Sequence, residues 1–209
     1  MKYIRAIFKD KFLLLGAFFI LLPSSFLLFC GEQGRVFIVT PVAIDPQFSQ
    51  TILYMFEHTI DGAEALVINR PYPDEKKNKL PSYLTQRKIP LFWGGPVGDT
   101  DMIFIMKLNG ENRPNVKKFD TWVIDDPLIL DKIEKSPLKY RIYIGSANWQ
   151  ALQFEMERLA DIWFFGVKRS EIFPKIFDQN KWNSKDLWLK ALEKSDFYKK
   201  QNISRLSRA

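Results

Sequence analysis

Cys30 and His58 are the only cysteine and the only histidine in this 209-residue chain. A lone thiol excludes an intramolecular disulfide and any zinc site built on several thiolates. A lone imidazole excludes metal centres with several histidines. Neither an EF-hand nor a Walker-type loop is present, which leaves only a carboxylate site for Mg²⁺ or Ca²⁺ open. No Gly-x-Ser-x-Gly elbow presents a nucleophile, and no internal repeat is visible. The sequence therefore calls for no cofactor and defines no metal-ligand set.

Strong basicity is also missing from the body. The net charge is +7, but Lys2, Arg5, Lys9 and Lys11 against Asp10 place +3 of it in the first 31 residues. The remaining +4 is dispersed, and no helix-turn-helix pattern accompanies it. Direct DNA binding is thus the weakest of the functional readings, and nucleic acid is not an expected partner.

Aromatic and apolar residues are abundant, with 18 Phe, 7 Tyr and 6 Trp. The run from Phe12 to Cys30, FLLLGAFFILLPSSFLLFC, holds no charge over its nineteen residues. As one hydrophobic helix it would extend roughly 28 Å, close to the thickness of a hydrocarbon core. Pro23, Ser24 and Ser25 interrupt it, which lipid tolerates. A cleaved signal peptide is the rival reading, but the cleavage site is poor. Lipidation of Cys30 is disfavoured by Phe29 before it. The run has no polar face to show to water. It is expected to be an uncleaved membrane anchor. The basic residues before it are expected to stay cytoplasmic and the body to lie outside. The alternatives are a secreted or periplasmic chain after cleavage, or a cytosolic one.

After Gly34 the pattern becomes globular. RVFIVTP reads as a short strand stopped by Pro41. SQTILYMFEH and AEALVIN read as two strands joined by TIDG, a hairpin by its β-branched content and its Asp-Gly turn. Met102 to Leu108, Thr121 to Ile124 and Tyr140 to Ile144 are further strand candidates. Trp149 to Ala160 is predicted as a helix, with Trp149, Leu152, Met156, Leu159 and Ala160 on one stripe. Ser184 is predicted to cap a last helix with Leu187, Trp188, Ala191 and Leu192 inward. DEKKNK, from Asp74 to Lys79, reads as a solvated loop. The expected organisation is residues 1–31 as basic flank and anchor or signal, residues 32–198 as the domain, and residues 199–209 as a basic tail.

Four ordered blocks carry a family resemblance: GRVFIVTPVAIDPQFSQTILYMFEHTIDGAEALVINRP, then FWGGPV, DDPLIL and GSANWQALQFEME. DIWFFGV and IFPKIF follow. Together the chain resembles the YqgE/AlgH family from about Gly34 to Leu192. The resemblance implies an α+β fold, with a bifurcated, barrel-like, mainly antiparallel sheet flanked by helices. It implies no settled activity, although members are labelled transcriptional regulators, and it suggests a cytosolic setting. Some relatives carry a cysteine directly before the Glu-His pair. Phe56 stands there in this chain, so thiol chemistry at that point is absent.

The candidate chemistry is sparse. His58, with Glu57 and Asp61 close in sequence, could serve as a general base. It could equally be a strut that bonds backbone beside the Asp61-Gly62 turn. Gly94 and Gly95 read as a bend between strands. The Gly145 to Asn148 loop, GSAN, reads as a strand-to-helix loop with free N–H groups, the better place for a ligand. Asn148 replaces a family glycine and tolerates a left-handed backbone. Gly95 and Asn148 are expected to shape one cleft. Gln153, Asn69 and Arg70 are polar side chains suited to a ligand, with the Arg70 head free. A non-catalytic binding or regulatory protein is the preferred reading, its partner a protein or a small ligand. A hydrolase or transferase using His58 and nearby carboxylates is the alternative.

Overall fold

The computed structural model of the chain describes residues 31–41, 45–109, 113–120, 127–165, 167–178 and 183–197. The chain divides into a unit up to Gly31 and a unit from Glu32 to Ala209, and every described element belongs to the second. Among the described residues no helix is long and apolar enough to cross a membrane. Residues 12–30, the strand candidate at 121–124 and the tail at 199–209 lie outside the described residues.

Nine strands and five helices are described. The strands are β1 (Val36–Val39), β2 (Ile52–Thr59), β3 (Gly62–Val67), β4 (Leu91–Trp93), β5 (Met102–Asn109), β6 (Arg113–Asp120), β7 (Tyr140–Ile144), β8 (Ala147–Gln150) and β9 (Trp163–Phe165). The helices are α1 (Ser82–Thr85), α2 (Pro127–Lys135), α3 (Gln153–Leu159), α4 (Arg169–Phe177) and α5 (Ser184–Lys194). Short 3-10 turns occupy Pro46–Phe48 and Asp74–Lys79, so DEKKNK is wound rather than a plain loop. The fold is α+β, with two sheets flanked by helices.

The first sheet has the order β8-β3-β2-β1-β9, and all its pairs are antiparallel. The second has the order β4-β7-β5-β6, with β4 parallel to β7. The predicted hairpin is β2–β3, where Thr59 pairs with Gly62 across the two-residue turn Ile60-Asp61. Its register slips between Met55 and Glu57, so Phe56 is bulged. The slip leaves Glu57 exposed and His58 buried on the face that α3 covers, as bulges re-aim a strand's side chains. The predicted inward stripe of α5 holds: Leu187, Trp188, Ala191 and Leu192 are all buried. Asn183, one residue before Ser184, supplies the cap by accepting from the Asp186 N–H.

The two sheets meet at a glycine junction. The chain leaves β7 at Gly145 and crosses directly into β8 of the other sheet. Val67, at the end of β3, donates to the Gly94 carbonyl (2.7 Å), and Gly94 donates to Ile144 (2.8 Å). Ser146 and Val97 exchange two backbone bonds at 2.9 Å each. The backbones approach so closely that a Cβ on Gly94 would run into the Gly145 carbonyl oxygen. A Cβ on Gly95 would run into the Ser146 backbone. The bend expected at Gly94-Gly95 is present, and its cause is this contact between two backbone segments.

The predicted helix from Trp149 to Ala160 is corrected. Trp149 lies in β8, paired with Ala63, and α3 starts only at Gln153. The backbone turns between them at Leu152, which takes φ 63. The inward face of α3 is therefore Phe154, Glu155 and Glu157, while Leu152 and Leu159 are exposed. GSAN is likewise a strand-to-strand crossing, not a strand-to-helix loop. Asn148 is extended within β8, and the left-handed residue is Gly145 at φ 74.

Candidate functional site

His58 ends in an enclosed place. Its side chain is 2% exposed. The Glu32 backbone N–H donates to Nδ1 at 3.2 Å, so the proton-bearing nitrogen is Nε2, which faces Oε1 of Glu155 in a short contact. Phe154 packs edge-on against the ring, 5.9 Å between centroids. The expectation that His58 bonds backbone is met, but the partner is the segment before β1, not its own turn. Glu57 is its neighbour along the strand and points to the other face, out to solvent. Asp61 sits exposed on the hairpin turn. The acid beside His58 is thus Glu155, from the first turn of α3, where a carboxylate also favours the helix dipole.

Two residues further along α3 lies a second buried carboxylate. Glu157 accepts from the indole N–H of Trp149 (2.8 Å) and of Trp163 (2.7 Å) on Oε2. Its Oε1 accepts from the Gln153 amide (3.0 Å). Gln153 also accepts from the Gln150 backbone N–H at 3.2 Å. All of Gln153's described partners belong to β8 and α3, and none is the Gly94-Gly95 turn. Around this carboxylate Trp149, Trp163 and Phe154 pack edge to face, with Phe48 against both tryptophans. Neither Glu155 nor Glu157 stands out in sequence, because each lies within an ordinary amphipathic helix. The only signal is that the two acids alternate with Phe154 and Met156, a period of two that belongs to a strand rather than a helix.

The remaining candidates are also engaged within the fold. Asn69 is buried and fully engaged: Oδ1 accepts from Ile52 N (2.9 Å), and Nδ2 donates to the Gln50 (2.9 Å) and Ser184 (3.1 Å) carbonyls. It ties the start of β2 to the start of α5. The Arg70 head, expected from sequence to be free, instead clamps the Pro46–Phe48 turn. It donates to the Gln47 carbonyl at 2.6 Å and to that of Ser49, over the face of Trp93 at 5.4 Å. Burial pushes its pKa down. The Gly145 and Ser146 N–H groups go to Met102 and Val97 carbonyls, 2.9 Å each. No anion cradle is left between them. Ser146 is buried, and its hydroxyl lies 2.7 Å from Glu64 and 2.8 Å from Asn148, with Lys118 reaching Glu64 at 3.3 Å. Gly95 does lie against the Ser146–Ala147 backbone, one residue from Asn148. The space between is filled by main chain rather than open as a cleft.

Two concave places stand out among the described residues, and neither contains His58, Asn69 or the Gly145 crossing. One, of about 200 Å³, lies between Lys88–Pro90, Ile133 and Tyr140. The other, of about 660 Å³, is an open groove between Gln33–Val36 and Phe165–Ser170. Among the described residues no group of three or more His, Cys, Asp or Glu could hold a metal ion.

The comparisons with known proteins agree with one another. A UPF0301 protein of Pseudomonas fluorescens is 33% identical over 141 residues, covering 60% of this chain and 71% of that one. A UPF0301 protein of Bacteroides thetaiotaomicron is 22% identical over 170 residues, covering 78% and 82%. The solution structure of AlgH from Pseudomonas aeruginosa superposes with a TM-score of 0.54 at 25% identity, covering 77% of this chain and 87% of that one. A crystal structure from Corynebacterium diphtheriae, at 17% identity and a TM-score of 0.51, shares the fold. The AlgH-like pattern (DUF179) matches residues 36–197, from the first strand to past the last helix, and the chain belongs to that family.

Proposed function

We infer that the chain is a non-catalytic binding or regulatory module, held at a membrane by residues 12–30. One observation carries the first half. Both ring nitrogens of His58 are occupied, by Glu32 N–H and by Glu155, inside a side chain 2% exposed. In a catalytic dyad the carboxylate orients one ring nitrogen and the other faces the nucleophile or substrate. Here the second nitrogen faces a backbone amide, and the carboxylate at Glu157 is taken by three N–H donors. The membrane half is supported by the sequence alone: nineteen uncharged residues with four cations ahead of them. Positive residues stay cytoplasmic, which puts the body outside.

A panel of chromogenic esters, phosphoesters and amides tests the catalytic point. The expected outcome is no turnover that separates the wild-type chain from His58→Gln. Turnover lost in His58→Gln while the melting curve is kept would return the histidine to an active site.

A further inference from the structure

The open groove between Gln33–Val36 and Phe165–Ser170 has a marked chemistry. Arg35, Lys168 and Arg169 line it, and no carboxylate does. The nearby acids are already paired: Glu32 with Arg35 (2.9 Å) and Arg158, and Glu171 with Lys194. The floor is aromatic. Phe165, 36% exposed, lies under both the Arg35 and the Arg158 guanidinium groups, each 5.4 Å from its ring centre. Arg169 leans toward Tyr54, whose phenol is pushed up chiefly by burial and drawn down by that arginine. Lys168 precedes α4 and makes no side-chain cap there.

The position of the groove in the chain matters as much as its charge. Gln33 follows Cys30, the last residue of the uncharged run, by three residues, a reach of roughly 10 Å at full extension. If residues 12–30 cross a bilayer, the groove cannot stand far from the headgroups. Cations backed by an aromatic ring suit that layer, where apolar stems and rings sit inward and charges meet phosphate.

We propose that this groove is the face on which the domain rests against an anionic lipid surface, with Lys168 and Arg169 meeting headgroup phosphates. The proposal rests on the membrane tether above. The tether brings the domain to the bilayer, and the groove fixes which way it faces.

The full-length chain tests it. A Cys30→Ser background with Ser170→Cys carries a fluorophore, and the protein is reconstituted into phosphatidylcholine vesicles with or without phosphatidylglycerol. Nitroxide on the headgroups should quench the probe several times more in the anionic vesicles, and added salt should remove the difference. Lys168→Gln and Arg169→Gln should each weaken docking about fivefold, at about 1 kcal/mol per charge near the surface. Arg169→Lys should dock like wild type, which separates charge from folding. Carbonate washing reads the tether separately. Equal quenching in both vesicles, with the chain still in the washed membranes, overturns the groove and leaves the tether standing. Loss of the full-length chain from the washed membranes removes the tether, and the groove proposal falls with it.

Discussion

Gly95→Ala should destabilise this domain strongly. The added methyl meets the Ser146 backbone, and the residue also holds φ 152, which side chains other than glycine's rarely adopt. Main chain on the other side of the contact belongs to a crossing bonded at Val97 and Met102. It cannot move without opening the junction of the two sheets. The expected loss is about 3 kcal/mol or more, or roughly 10 °C in melting temperature for a domain this size. Gly98→Ala is the comparison. It also has positive φ, 64, but the atoms nearest its added methyl are those of the Met102 side chain rather than main chain. The cost there should be about 1–2 kcal/mol. Equal losses in the two variants would mean that the close crossing is not what requires Gly95.

The second large effect is expected at Glu157. Replacing it with alanine removes the acceptor of two buried indole N–H groups and of the Gln153 amide at once. Each orphaned buried donor costs about 1–3 kcal/mol, so losing the acceptor of the two indoles should cost Glu157→Ala about 2–6 kcal/mol. The tryptophan emission should shift as Trp149 and Trp163 lose their partner. Glu157→Gln keeps one acceptor oxygen but turns an amide N–H toward other donors, and should fall between. A Glu157→Ala chain with wild-type melting and unchanged emission would show that the indoles do not depend on this carboxylate.

These sites explain how far the sequence could be read. The β2–β3 hairpin was legible because ILYMF and ALV carry β-branched and aromatic residues on either side of Asp61-Gly62. The inner face of α5 was legible because its apolar residues keep a helical spacing under a polar cap. Both are local patterns. The strand at β8 was not legible, because what makes it a strand is pairing with β3, some eighty residues earlier. Trp149, Leu152 and Met156 happened to share the helical spacing, and Leu152 in fact marks the turn between strand and helix. The partner of His58 was hidden for the same reason. Glu155 lies 97 residues away. The bulge at Phe56 that turns His58 toward it leaves no mark in composition. The clamp of Arg70 is equally hidden, because Pro71 after it restricts the backbone but says nothing of the carbonyls at Gln47 and Ser49.

Because the chain holds one histidine, its chemistry can be followed without interference from another. Diethylpyrocarbonate acylates an accessible imidazole and gives a distinct ultraviolet signal. In the native protein His58 should react only as fast as the domain opens, far more slowly than in the denatured chain. A histidine that reacts in the folded protein at the rate of the denatured one would be open to solvent and substrate, and would contradict its role as an enclosed strut.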